Sequence, residues 1–107
     1  MNLPASYSSI DPIISAWAER NRLKLPTHDE RGAELPFRNF YTSNNEAECC
    51  QIWIDPPQNG VAGLHAASVE SRDDEEMRQD WVVAVGELER GLETALVFVR
   101  TWMTRSI

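Results

Sequence analysis

The chain has 107 residues, 42% of them hydrophobic and 25% charged, with four tryptophans; this is the composition of a globular protein with a packed core rather than of a disordered one. Its 17 acids against 10 bases leave a formal charge of -7, which repels phosphate backbones and anionic headgroups, so neither nucleic acid nor a membrane surface is expected as a partner. The length corresponds to a single domain, residues 1–107, and no run of about 18 apolar residues exists to span a bilayer.

The opening MNLPASYSSIDP has no basic start followed by an apolar core, so it does not read as a secretory signal. With only two cysteines in the chain, a cytoplasmic location is the expectation. Ser8, Ser9 and Asp11 precede or flank Pro12. A capping oxygen followed by proline in the first turn marks a helix start, because the cap satisfies an orphan amide and proline has none to lose. Ile10, Ile13, Ile14 and Trp17 then recur at helical intervals, which predicts a helix over 12–21 with one apolar face.

LKLPT, 23–27, alternates but carries Pro26, so it is expected to be a short edge strand or an extended entry. HDERGAELP is a polar turn around Gly32. FRNFYT, 37–42, is a second expected strand, with Phe37 and Tyr41 on one row and Phe40 on the other. After a turn at SNNEA comes ECCQIWIDPP, whose segment Cys49 to Ile54 is rich in β-branched and aromatic residues. DPPQNG is a hairpin connection in which Gly60 supplies a positive φ. VAGLHAASV, 61–69, is the fourth expected strand.

Beyond it the spacing predicts one long helix over about 72–104. Ser71 and Asp74 resemble a capping box, and the acids at 73–76 would oppose the helix dipole favourably. Trp81, Val85, Leu88, Leu92, Ala95, Val99 and Trp102 are spaced alternately by four and three, a heptad seam. Such a helix would be about 50 Å long against about 20 Å for a strand, so it must overhang or bend, with Gly86 and Gly91 as the bending points. The expected fold is α+β: a two-layer sandwich in which a four-stranded antiparallel meander is framed by an N-terminal helix and a long C-terminal helix, in the order α-β-β-β-β-α.

Catalytic signals are weak. Successive strand residues point to opposite faces, so Cys50, Ile52 and Ile54 share one row and Cys49, Gln51 and Trp53 the other. The adjacent thiols diverge and are not expected to bridge. No CxxC or HxxxH spacing suggests a metal, and no glycine-rich phosphate loop suggests a cofactor. His28 lies in a polar turn, and His65 is mid-strand. Cys49, His65 and Asp55 could be assembled on paper as nucleophile, base and orienter, without any local signature. No cofactor, metal or catalytic residue is therefore assigned.

The informative feature is apolar surface beyond what one helical layer covers, since an exposed antiparallel face normally alternates polar residues. Trp53, Gln51, Cys49, Phe40, His65, Leu96, Phe98 and Met103 are the expected partner or ligand surface. The leading reading is a non-catalytic protein-interaction module, homodimeric or bound to another protein. In size, charge and expected topology the chain is similar to bacterial secretion chaperones and other partner-binding proteins, a likeness that implies an adaptor-like role. The alternative is a small-ligand-binding protein or enzyme whose pocket lies between sheet and helices, lined by Trp53, His65, Tyr41 and Cys49. A third reading is an inhibitor or immunity-type protein whose acidic surface caps a basic partner.

Overall fold

Pro12 lies in the first turn of helix α1, Asp11–Arg20, where its missing N–H costs nothing. In this computed structural model, which describes residues 7–44, 48–71 and 76–105, α1 is followed by β1 (Arg38–Ser43), β2 (Cys49–Ile54), β3 (Val61–Glu70), β4 (Arg78–Ala84), a short 3-10 turn (Val85–Glu87) and α2 (Leu88–Met103). The four strands form one antiparallel sheet in the order β1-β2-β3-β4. The chain thus has the α+β, α-β-β-β-β-α architecture. Among the described residues, no helix is long and apolar enough to cross a membrane.

The membership of the meander differs from the sequence reading at both ends. Residues 23–27 form no named strand; the nearest pairing is an isolated bridge between His28 and Glu34. The missing strand is instead β4, inside the stretch expected to be helix, so the long C-terminal helix shrinks to the 16 residues of α2. The reason is a periodicity shared by both structures. A separation of four residues keeps two side chains on one face of a helix and also on one face of a strand, so Trp81 and Val85 fit either. The next step, from Val85 to Leu88, falls on the 3-10 turn, where the chain reverses to lay α2 on the sheet. Gly86 sits inside that turn, so the expected bend is a full change of element.

The β2–β3 hairpin forms as expected. Asn59 and Gly60 have φ of 53° and 79°, the left-handed pair that an Asn-Gly hairpin turn requires, and Gln58 and Val61 exchange backbone hydrogen bonds across it. The capping expectation for α1 is corrected: Ile10 is its N-cap, without a side-chain cap. Asp11 is occupied elsewhere, receiving Arg38 Nε at 2.7 Å and Nη2 at 3.0 Å. The expectations for residues 1–6, for 45–47 of the SNNEA turn and for the capping box ending at Asp74 lie outside the described residues.

Both helices cover the same sheet face. Cys50, Ile52 and Ile54 of β2 and Ala62, Leu64 and Ala66 of β3 are buried against Ile14 and Trp17 of α1 and Leu88, Leu92, Leu96 and Val99 of α2. Burying one such aliphatic side chain contributes about 2 kcal/mol. Two polar ties close the ends of this layer. The Arg38 guanidinium, fully buried, also donates to Glu34 and to the carbonyls of Leu35 and Phe37 and lies 4.4 Å from the Tyr7 ring centre. At the other end buried Glu48 receives Asn44 Nδ2 at 2.9 Å and pairs with Arg105 at 2.9 Å, fastening the region beside β1 and β2 to the end of α2.

Candidate functional site on the open sheet face

Strand alternation forms a second sheet face, which no helix covers among the described residues. Its central rung is Asn39, Trp53, His65 and Asp80, matched across β1 to β4 by the register. The Trp53 and His65 rings stack at 4.9 Å with an interplanar angle of 18°. His65 Nε2 lies 2.7 Å from Asp55 Oδ2, and its Nδ1 lies 2.6 Å from Asp80 Oδ1. Arg78 donates to both Asp80 oxygens at 3.2 Å and stands 5.5 Å from the Trp53 ring centre.

An ionised carboxylate only accepts hydrogen bonds, so both ring nitrogens can be satisfied together only in the doubly protonated imidazolium. Partial burial alone would lower the His65 pKa, but the bonds to Asp55 and Asp80 outweigh it and the net shift is upward. Asp80 is held below its ordinary value, chiefly by His65 and then by Arg78. In this state the imidazole has no free lone pair to take a proton from a substrate. The cluster is a charge-ordered tie across three strands, and it orients Trp53.

Gly63 makes the tie possible. A Cβ built there would stand 2.3 Å from Asp55 Oδ2 and 3.2 Å from His65 Nε2, so only glycine lets the Asp55 side chain cross β3 to its histidine. The helix expected over about 72–104 contained both Asp80 and Arg78, so the sequence did not bring them to His65. Residues 81–85 are all apolar, so no alternation there marked the stretch as a strand.

The expected surface residues divide. Trp53, Gln51, Cys49 and His65 lie on the open face, each partly buried. Phe98 is partly buried on α2, in edge-to-face contact with Trp81 at 5.8 Å. Phe40, Leu96 and Met103 are corrected: each is at most 8% exposed and belongs to the core. Phe40 shares the inner row of Ile52 and meets Trp17 at 5.3 Å. Leu96 and Met103 fall on the sheet-facing side of α2. Tyr41 and Val82, by contrast, are 58% and 77% exposed on the open face.

Two of the three residues that could be assembled on paper as a triad come together. His65 meets Asp55, but Cys49 is registered with Glu70 while His65 is opposite Trp53, four residues or about 14 Å away along the strand. Trp53, His65, Tyr41 and Cys49 all lie on the face away from the helices, so any site they line is open and does not lie between sheet and helices. Cys50 points inward, and burial pushes its thiol up to about 11. Among the described residues no group of three or more potential metal ligands gathers.

A second apolar feature lies on α2. Thr94, Val97, Phe98, Thr101, Trp102 and Arg105 line an open groove, and Val97 is 61% exposed. Arg105 stands 3.8 Å from the Trp102 ring centre.

Fold and surface together define a two-layer α+β protein with one helical layer and, among the described residues, one sheet face that no helix covers. Compared with protein-family models, with curated proteins and with solved structures, the chain gives no match.

Proposed function

We propose that this protein is a non-catalytic, adaptor-like interaction module that works in the cytoplasm, as a homodimer and through contact with another protein. The observation that carries the reading is the open sheet face, where exposed Tyr41 and Val82 flank the Trp53–His65 stack. Tyrosine and tryptophan supply large contact area at low entropic cost, which is why they are enriched at protein interfaces. Two free cysteines suit a reducing compartment. A catalytic reading has less support, because the face's histidine has both nitrogens engaged by carboxylates.

The test is a double substitution, Tyr41→Glu with Gln51→Glu, at two residues paired across β1 and β2. Affinity capture from the native host, with wild type and variant baits of equal thermal stability, should recover a defined protein with the first and lose it with the second. Identical recoveries from both baits would remove the open face from the reading.

A further inference from the structure

We propose that Asp55 is a proton-controlled latch on the open sheet face: the imidazolium of His65 holds it across Gly63, and loss of that proton frees it while His65 stays on Asp80. Its regulatory meaning rests on the interaction-module reading, which it deepens by naming what opens and closes that face.

The latch follows from the hydrogen bonds that His65 can make. Its Nε2 lies 2.7 Å from Asp55 Oδ2 and its Nδ1 lies 2.6 Å from Asp80 Oδ1. A neutral imidazole carries one N–H and one bare lone pair, and an ionised carboxylate has no proton to offer that lone pair. At these distances the two repel. One carboxylate must therefore leave when His65 gives up its proton.

Their anchoring decides which one. Asp80 is registered directly opposite His65 on β4, and its two oxygens accept from Arg78 Nε and Nη2 at 3.2 Å. Its pKa is held down by His65 and then by Arg78, so it stays ionised. Asp55 follows the end of β2, its side chain is half-exposed, and among the described residues its carboxylate is held by His65 alone. It reaches the ring only by crossing Gly63, where a Cβ would collide with it. Asp55 is thus the group released, and the bond to Asp80 keeps the remaining proton of His65 on Nδ1. Free histidine in water favours the opposite tautomer, Nε2–H.

No other charged group on the neighbouring strands competes for this ring. On the same rung β2 offers Trp53, stacked on His65, and β1 offers Asn39. Tyr41 is two strands away. Cys49, Glu70 and Glu76 lie four or five residues from the rung along the strands, about 14 Å or more, and α1 and α2 cover the opposite face. Burial lowers the His65 pKa, but the bonds to the two carboxylates more than offset it, so the proton leaves above the ordinary 6.5.

Release changes both the charge and the shape of the face. In the closed state two carboxylates, Asp55 and Asp80, balance the His65 imidazolium and the Arg78 guanidinium. In the open state one negative charge is in excess, and Asp55 is free to turn outward into water. Gly63 is then bare beside Val82, with which it is registered and which is 77% exposed. Charged groups are depleted from the centres of interfaces because covering them removes their hydration. A face whose carboxylate has swung aside therefore docks a protein better than one with the latch shut.

Nuclear magnetic resonance of the isotope-labelled protein between about pH 5 and 9, which brackets histidine titration, tests this. In wild type His65 should lose its Nε2 proton and keep the one on Nδ1. Asp55, read by three-bond couplings across χ1, should show one rotamer below that midpoint and averaging above it. In Asp80→Ala the only carboxylate left to neutral His65 is Asp55, so the tautomer should switch to Nε2–H and the single Asp55 rotamer should persist. A neutral wild-type His65 protonated on Nε2, an Asp55 rotamer unchanged through the titration, or an Asp80→Ala protein that keeps Nδ1–H would each overturn the latch. Partner capture by wild type should be greater above the midpoint than below it; a latch that moves while capture stays constant overturns its regulatory role. The resonance measurements need no partner, whereas equal recovery by wild type and the Tyr41→Glu, Gln51→Glu bait counts against the module reading alone, so the two proposals fail separately.

Discussion

The Asp55 carboxylate passes directly over Gly63: Oδ2 lies 2.3 Å from where a Cβ on Gly63 would stand, and 2.7 Å from His65 Nε2. Gly63→Ala must therefore push Asp55 off the histidine. His65 would keep only Asp80, and its pKa should fall relative to wild type when followed by imidazole NMR titration. The accompanying loss of stability should be about 1 kcal/mol, the scale of one partly exposed charged hydrogen bond.

The same cluster sets a pH window. His65 has a raised folded pKa, so its contribution is fully present below its ordinary value of 6.5 and disappears as pH rises through the raised one. Asp80 has a lowered folded pKa, so its contribution is present above its ordinary 3.8 and disappears as pH falls through the lowered value. The difference in Tm between wild type and Asp80→Asn should be largest between about pH 4 and 6.5 and shrink on either side. A difference independent of pH from 4 to 8 would count against the tie.

Arg38 is fully buried and chelates both oxygens of Asp11. Removing one partner of such a pair leaves a charge without its counterion, so Arg38→Met should cost about 3 kcal/mol in urea denaturation. Arg38→Lys should recover little of it, since an ammonium cannot reach both oxygens and the carbonyls of Leu35 and Phe37 from one planar fork.

The two cysteines should separate by reactivity. Cys50 is inaccessible, with its thiol pushed up to about 11 by burial, whereas Cys49 is half-buried on the open face. A thiol reagent at pH 8 should titrate one group rapidly in the native protein and both in denaturant, and Cys49→Ser should abolish the fast phase.

Which rows of β2 face inward followed from sequence alone: the alternation of Cys50, Ile52 and Ile54 with Cys49, Gln51 and Trp53 has a period of two that no helix accommodates, and Asn59-Gly60 fixed the hairpin beside it. The identity of the fourth strand did not follow. Between Trp81 and Val85 the helical and extended periods coincide, so local pattern could not choose, and pairing with β3 decided for the strand. The same ambiguity concealed the site. Asp80 reaches His65 only because residues distant in sequence become neighbours across a rung, and Phe40, Leu96 and Met103 sink into the core because α1 and α2 settle on one face together. Periodicity is a property of the chain, and it reports which side chains share a face. Which faces meet depends on contacts between distant segments, and those arise only when the sheet and its helices pack.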